Sequence, residues 1–174
     1  MNSLEVRKHI QHDWTELFRL VCAIESYPQF VPCCQRAAVL TRSAQGPDTT
    51  VIDARMTVGL SALHVSYTTR TIADHSTRMI SLDSIDGPLR QLRAAWTFDP
   101  DTDGGTEVGF RVEYEFESPM LGALASNLFD AMFRQMLDAL ERRADHVSGG
   151  FGVAAVRAVP HRTARGARAA VAAR

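Results

Sequence analysis

Residues 118–147 form a long amphipathic segment, and this segment limits the folds that the chain can adopt. Ser118 and Pro119 suit the N-cap and the first turn of a helix, and the pair Gly149 and Gly150 suits its end. Large apolar residues recur every three or four positions between these ends, which places them on one helical face. They are Leu121, Leu124, Leu128, Met132, Met136 and Leu140. The sequence therefore predicts one long helix whose apolar face must be covered by another element.

The residues before this helix alternate between apolar and polar side chains, which is typical of strands with one buried face. The pattern is clearest over residues 106–117, where Val108, Phe110 and Tyr114 alternate with polar or charged residues. We predict strands at about 2–10, 36–43, 51–58, 63–71, 77–84, 92–98 and 106–117, and a short helix at about 14–23. This order predicts an α+β fold in which a curved antiparallel sheet of about seven strands surrounds the long C-terminal helix.

Two interpretations of the interior remain open from the sequence. The residues that face inward include small ones, Ala54 and Ala94, and flexible ones, Met56, Met132 and Met136, beside aromatic rings. Such a mixture either fills the space as an ordinary packed core or leaves a cavity for an apolar ligand. The few polar side chains expected there are mainly hydroxyls, which suit holding a molecule better than transforming it.

Charge divides the chain into two parts. The net charge is -1, with 19 basic and 20 acidic side chains, but residues 149–174 carry five arginines and no acidic residue. We therefore predict one folded domain over residues 1–148 and a basic, disordered tail over residues 149–174. The tail either has no specific role or contacts anionic lipid headgroups or ribosomal RNA.

The cysteines and the N-terminus indicate the compartment. Cys22, Cys33 and Cys34 are too few, and two of them too close together, for a disulfide framework, so a reducing compartment is expected. Charged residues such as Glu5 and Arg7 occupy the place where a signal peptide needs an apolar core, and no segment approaches the roughly 18 apolar residues of a membrane span. We expect a cytoplasmic protein.

The sequence contains no recognisable catalytic or metal-binding pattern. The cysteines and histidines lack the spacing of a zinc site, and no serine lies in a nucleophile elbow. Glu113, Glu115 and Glu117 share the strand face opposite the apolar one, so they are expected to face solvent. Gly104 and Gly105 fit a hairpin turn better than a phosphate loop. We predict no catalytic residue, no metal, no cofactor and no binding of DNA, and we expect that the chain is not an enzyme.

Four segments together resemble one bacterial family. They are residues 27–34 (YPQFVPCC), 67–70 (YTTR), 86–98 (DGPLRQLRAAWTF) and 114–118 (YEFES). The set, in this order, resembles the family that groups coenzyme Q-binding START-type proteins with the ribosome-association toxin and that is also described as polyketide cyclase/dehydrase. The resemblance covers about residues 3–147.

This resemblance implies a START-like lipid-binding domain over residues 1–148, with a helix-grip fold and a tunnel between the sheet and the helix. It implies a hydrophobic ligand, ubiquinone or a similar isoprenoid lipid, and a carrier or chaperone that supports respiratory electron transfer. Peripheral contact with respiratory components or with the cytoplasmic face of the inner membrane is a further expectation. Residues 27–34 would form part of the tunnel mouth, and residues 86–88 a turn at its rim. The predicted ligand-binding residues are Tyr27, Phe30, Val31, Pro32, Met56, Tyr67, Pro88, Leu89, Trp96, Phe110, Tyr114, Leu128, Met132 and Met136.

Two positions depart from the family pattern, and two other functions stay open. The family usually has Trp at the position of Cys33 and Phe at that of Leu89, so the tunnel opening or its ligand is expected to differ. One alternative is a toxin-like protein that binds the large ribosomal subunit. The other is a polyketide cyclase or dehydratase, which needs an ionisable group inside the cavity.

Overall fold

The computed structural model describes residues 1–60 and 62–151. Its strands and helices are β1 (Asn2–Ile10), α1 (Trp14–Cys22), β2 (Cys34–Ala44), β3 (Thr49–Leu60), β4 (Leu63–Asp74), β5 (Met79–Asp86), β6 (Leu89–Pro100), β7 (Thr106–Phe116), α2 (Pro119–Arg134) and α3 (Met136–Phe151). A 3-10 helix (Ile24–Gln29) follows α1. The predicted disordered tail lies, from residue 152 onward, outside the described residues.

The strands form one antiparallel sheet in the order β1-β7-β6-β5-β4-β3-β2. Strands β2 to β7 follow one another as a meander, and β1 adds to the far edge by pairing with β7, where Ile10 lies opposite Thr106. The register is irregular between β2 and β3, β4 and β5, and β6 and β7. Such bulges bend strands and help a sheet to curve. The predicted curved antiparallel sheet of about seven strands is confirmed.

The concave face of the sheet is apolar and the convex face is charged. A row of alternating charges crosses the convex face through directly opposed residues of neighbouring strands. The row consists of Asp53, Arg70, Asp83, Arg93 and Glu113. Arg70 binds Asp53 through two hydrogen bonds of 2.8 and 2.7 Å, and Arg93 Nε donates to Asp83 Oδ1 over 3.0 Å. The convex face is therefore built for solvent, and any enclosed site must lie on the concave side.

The predicted single helix is instead two consecutive helices that meet at Gln135. The Gln135 N–H donates to the Met132 carbonyl over 3.2 Å, whereas the Ala139 N–H donates to the Gln135 carbonyl over 2.9 Å. The first bond spans three residues and the second spans four, so the helix tightens locally and then continues. This change of pitch lets α2 and α3 follow a curved sheet while Met132 and Met136 both stay buried.

Two details of the helical segment were wrong in the prediction. Leu124 is 65% exposed, because the buried stripe passes instead through Ala125, Leu128 and Phe129. A helix turns by about 100° per residue, so a neighbour of a buried position can point to solvent. In addition, α3 continues through Gly149 to Phe151, since glycine lowers helix propensity by about 1 kcal/mol without forbidding the helix.

A polar cluster joins the start of α1 to the end of α3. Asp13 caps α1 by accepting a 2.8 Å hydrogen bond from the Thr15 N–H. His12, just before it, lies 2.8 Å from Asp145 through Nε2 and 3.3 Å from Glu16 through Nδ1. Burial alone lowers the pKa of His12, but these two carboxylates outweigh it and raise the pKa above its ordinary value. The cluster fixes the C-terminal helix against the N-terminal one.

Candidate functional site

A cavity lies between the concave face of the sheet and the helical segment α2–α3. The segment 27–34, five of the strands and the residues around the α2–α3 junction form its walls. Its lining side chains are Tyr27, Val31, Cys34, Met56, Val58, Tyr67, Leu82, Leu92, Ala94, Trp96, Phe110, Met132, Phe133 and Met136. Strand alternation explains the pattern, since alternate residues of β3 and of β6 point to the same face.

The cavity is small, with a volume of about 50 Å³. An apolar cavity that binds benzene measures about 150 Å³, so the space as it stands holds no more than a few water molecules. The interior thus combines both sequence interpretations: it is closely packed, and it leaves a space at the centre. Met56, Met132 and Met136 border that space, and their unbranched side chains can repack more easily than branched or aromatic ones.

Hydroxyl groups are the main polar feature of this interior. The Tyr27 hydroxyl donates to the Val21 carbonyl over 2.5 Å and so ties the segment 27–34 to α1. The Tyr67 side chain lines the cavity, and its hydroxyl forms no hydrogen bond with any of the described residues. Thr69, the next inward residue of β4, is 1% exposed and its Oγ1 has no partner among those residues. The inner face of β4 therefore places the Tyr67 hydroxyl at the cavity and the unpartnered Thr69 hydroxyl beside it.

The lining groups that can ionise are held in their neutral forms. Burial raises the pKa of the Cys34 thiol to about 11, and it raises the pKa values of the Tyr27 and Tyr67 hydroxyls further. Within the described part of the chain, no Asp, Glu, His, Lys or Arg side chain lines the cavity. The interior is therefore neutral and suited to an uncharged, apolar molecule.

The structure brings many of the predicted ligand-binding residues together around this cavity. They are Tyr27, Val31, Met56, Tyr67, Trp96, Phe110, Met132 and Met136. They come from the loop, the strands and the helices, so tertiary folding alone makes them neighbours. Their role in binding a ligand remains a prediction.

Two other predicted residues belong to the packed core beside the cavity. Tyr114 is completely buried, and its one hydroxyl hydrogen is shared between Asp130 Oδ1 at 2.9 Å and the Ser126 carbonyl at 3.1 Å. Leu128 is buried on the same helix. Both fix α2 against the sheet. They entered the predicted set because inward alternation selects core residues as readily as cavity residues.

The predicted rim residues lie outside the cavity lining. The Pro88 carbonyl accepts a 3.0 Å hydrogen bond from the Glu117 N–H, and Leu89 is buried opposite Phe116. This turn therefore packs against the end of β7, and neither Pro88 nor Leu89 is among the residues that line the cavity. Pro32 is half-buried in the loop before β2.

Phe30 also lies outside the cavity lining, on the outer side of the segment 27–34. Its ring packs edge-on against Tyr27, with centroids 5.6 Å apart. The neighbouring Cys33 adopts a left-handed backbone conformation with φ of 59°, which is uncommon for a residue other than glycine. The segment therefore exposes Phe30 on one side and presents Val31 to the cavity on the other.

Some lining residues were absent from the predicted set. They are Cys34, Val58, Leu82, Leu92, Ala94 and Phe133. Alternation with Trp96 already placed Leu92 and Ala94 on the inner face, and register places Cys34 opposite Val58. The signal was present in the sequence, but the sequence does not distinguish an inward residue at the cavity from one in the core.

A larger surface groove of about 700 Å³ lies elsewhere, between α1 and the β2–β3 hairpin. It is open to solvent and lined by residues of both charges. Arg42 in this groove is bound to Glu25 over 3.0 Å and to the Cys22 carbonyl over 3.2 Å, so its donors are largely used. The groove offers less definite chemistry than the interior cavity.

Residues 1–60 and 62–151 bring together no group of three or more His, Cys, Asp or Glu side chains able to hold a metal ion. Over the same residues, no helix combines the length and apolar character needed to cross a membrane.

Sequence comparison identifies relatives of the whole domain. The ribosome association toxin RatA of Rickettsia prowazekii is 31% identical over 150 residues, which cover 84% of this chain and 99% of the relative. The mitochondrial coenzyme Q-binding protein COQ10 of Dictyostelium discoideum is 23% identical over 147 residues, which cover 83% of this chain and 70% of that protein.

Structure comparison supports the fold. A START superfamily protein from Mycobacterium smegmatis is 17% identical to this chain, with a TM-score of 0.68. The match covers 83% of this chain and 98% of that protein's chain. The predicted helix-grip fold of START type is thereby confirmed.

The family described as polyketide cyclase / dehydrase and lipid transport matches residues 10–141. This match covers most of the chain and agrees with the resemblance carried by the four sequence segments. The chain belongs to the polyketide cyclase / dehydrase and lipid transport family.

Proposed function

We propose that this protein binds a hydrophobic ligand of the isoprenoid quinone class, most simply ubiquinone, between the sheet and the helices, and serves as its carrier or chaperone. The observation that carries the proposal is an apolar cavity lined by Tyr67, beside which the buried Thr69 Oγ1 has no partner among the described residues. A buried polar group without a partner costs about 1–3 kcal/mol. A quinone has a flat apolar ring and carbonyl oxygens, so it can accept these hydroxyl hydrogens.

Binding requires the cavity to expand beyond its volume of about 50 Å³. Met56 borders the space from the sheet, and Met132 and Met136 border it from the helices. Gln135, where the helix tightens, lies between these last two residues. A small shift at this junction, with new methionine rotamers, enlarges the space without moving the strands.

The comparisons support a lipid-like ligand. The description of the family includes lipid transport, and one relative is named as a coenzyme Q-binding protein. A carrier of a membrane-soluble quinone must meet the bilayer to load and unload. Peripheral contact with the cytoplasmic face of the inner membrane and support of respiratory electron transfer follow from this proposal.

The cavity chemistry favours carriage over catalysis. A cyclase or dehydratase needs an acid or base that exchanges protons near neutral pH. The cavity groups able to ionise, Tyr27, Tyr67 and Cys34, have pKa values raised by burial and stay protonated. We therefore propose a binding protein without enzymatic activity.

The first test is organic extraction and mass spectrometry of protein purified from a respiring host, with a denatured sample as control. We expect a quinone in stoichiometric amount. A protein that yields no quinone, and that does not bind ubiquinone supplied in vitro, contradicts the proposal.

A matched pair of variants locates the site. Ala94 lines the cavity, and Ala95 lies on the opposite face of the same strand. Ala94→Val fills the space and is expected to weaken quinone binding at least about tenfold, since overpacking costs about 1–3 kcal/mol. Ala95→Val adds the same atoms outside and should leave binding unchanged. Equal binding by both variants places the ligand elsewhere.

A second candidate function is association with the large ribosomal subunit. It is favoured by the similarity to a ribosome association toxin over 99% of that relative. The arginines of residues 149–174 would supply contacts to RNA phosphates.

Sedimentation through a sucrose gradient tests this second function. Protein that moves with the large subunit at low salt, and is released as salt rises, supports it, because phosphate contacts weaken with ionic strength. Protein that stays at the top of the gradient at every salt concentration contradicts it.

A further inference from the structure

A second, polar pocket lies directly outside the cavity, where α3 passes the 3-10 helix. Its volume is about 330 Å³. The lining residues are Gln29, Phe30, Ala139, Arg142, Arg143 and His146. The pocket is therefore concave and carries cationic groups on one side and an aromatic ring on the other.

The arginines of this pocket are not neutralised by ion pairs. Within the described residues, neither Arg142 nor Arg143 lies within 4.0 Å of a carboxylate oxygen. Asp138, one turn before Arg142, is instead bound to Lys8 over 2.5 Å. Elsewhere in the described residues, arginines such as Arg70 are paired with a carboxylate, which for Arg70 is Asp53. The charge of this pocket is thus available to an outside partner.

Arg143 is held in a fixed position, with one donor unused. Its Nη2 donates to Gln29 Oε1 over 2.8 Å, and its guanidinium carbon lies 5.7 Å from the centroid of the Phe30 ring. Its Nε is buried and has no hydrogen-bond partner among the described residues. A guanidinium offers donors in a planar fork that matches the oxygens of a carboxylate or a phosphate. The pocket is therefore preorganised for an oxyanion.

Residues that line this pocket are close in sequence to residues that line the apolar cavity. Phe30 lines the pocket, while Tyr27 and Val31 on either side of it in sequence line the cavity. On the helix, Ala139 lines the pocket and Met136, one turn earlier, lines the cavity. A molecule with one charged end could therefore rest its charge in the pocket and pass its apolar part between the 3-10 helix and α3.

We propose that the Arg142–Arg143–His146 pocket binds the anionic end, a phosphate or a carboxylate, of an amphipathic ligand whose apolar chain enters the cavity. The proposal rests on the proposed function to the extent that both use the same cavity. It adds a class of ligand with a negatively charged end. The neutral cavity lining alone gives no reason to expect such a charge.

The test uses three probes at concentrations below micelle formation: dodecyl phosphate, dodecanol and inorganic phosphate. NMR follows the Arg143 Nε–H resonance for the pocket and the Met132 methyl resonance for the cavity. We expect dodecyl phosphate to shift both resonances and to bind at least about tenfold more tightly than dodecanol, which shifts only the methyl resonance.

The other outcomes separate the two proposals. Equal affinity for dodecyl phosphate and dodecanol, with no shift at Arg143, overturns the anion site and leaves the apolar cavity supported. Inorganic phosphate that binds as tightly as dodecyl phosphate, with the Met132 methyl unmoved, shows that the pocket takes a free anion and overturns the link to the cavity.

Variants assign the effect to the pocket. Arg142→Gln changes an exposed side chain and should weaken dodecyl phosphate binding about tenfold while leaving dodecanol binding unchanged. Arg143→Lys keeps the charge, loses the Nε donor and should weaken binding by a smaller factor. Arg55→Gln, at an exposed position of β3, removes one charge elsewhere and serves as the control. An equal loss in Arg55→Gln and Arg142→Gln indicates general charge attraction and overturns the site.

Discussion

Replacing Tyr114 with Phe removes a single oxygen atom from the contact between β7 and α2. In the folded protein this hydroxyl has one hydrogen, which is shared between Asp130 Oδ1 at 2.9 Å and the Ser126 carbonyl at 3.1 Å. The ring is completely buried among Phe116, Phe129 and Phe133, so the substitution should leave the packing of the ring unchanged.

The expected cost follows from a single hydroxyl hydrogen that two acceptors share, so the contributions of a charged and a neutral hydrogen bond do not add in full. A hydrogen bond to a charged group contributes about 1.5–3 kcal/mol and a neutral one about 1 kcal/mol. Asp130 is only half-buried, so its carboxylate regains water in the variant, and the Ser126 carbonyl lies within a helix where the backbone offers another donor. We therefore expect Tyr114→Phe to lower the free energy of unfolding by about 2 kcal/mol.

Urea denaturation followed by circular dichroism measures this change, and the m-value should stay constant because the same surface is exposed on unfolding. In a thermal melt, the expected loss corresponds to a decrease in Tm of about 4–8 °C. A double-mutant cycle with Asp130→Ala isolates the share of the charged bond.

Tyr67→Phe is the matched control, since it removes the same atom from a hydroxyl that has no hydrogen-bond partner among the described residues. Its free energy of unfolding should stay within about 0.5 kcal/mol of the unmodified protein. Equal losses for the two variants, or a loss below about 0.5 kcal/mol for Tyr114→Phe, would refute the reasoning from hydrogen-bond partners.

Other perturbations test the cluster at the end of α3 and the β5–β6 turn. Because the pKa of His12 is raised in the folded state, its contribution to stability is complete below a pH of about 6.5 and is lost as the pH rises through the folded-state value. Urea melts at low and high pH should show this loss, and His12→Asn should remove it; an unchanged pH dependence in the variant contradicts the assignment. Gly87→Ala should destabilise the protein more than Gly46→Ala. Both glycines have positive φ, but a Cβ at Gly87 would lie 2.8 Å from the Tyr67 backbone, whereas one at Gly46 meets nothing within 4 Å. Thermal melts of the pair measure the difference. Equal Tm values would show that the contact between the added Cβ at position 87 and Tyr67 does not destabilise the protein.

Local patterns predicted the elements well, because strand alternation and helix capping depend on neighbours in the sequence. Ser118 caps the helix that it was expected to cap. Turns carrying Gly87 and Gly104 lie between strands, where their positive φ values are accommodated. Together with the four family segments, these signals were enough to predict the sheet, the order of elements along the chain and the family.

The sequence by itself thus determined the order of elements, the faces that are buried and the neutral character of the inner face. Tertiary structure alone decided the break at Gln135, the cavity volume, the packing of Leu89 against the end of β7, and the juxtaposition of Arg143 with Phe30. The physical reason is that a pattern records which face of an element a side chain occupies, whereas a cavity or a pocket depends on distances between elements. Those distances are set by the curvature of the sheet and by the fit of side chains far apart in the sequence.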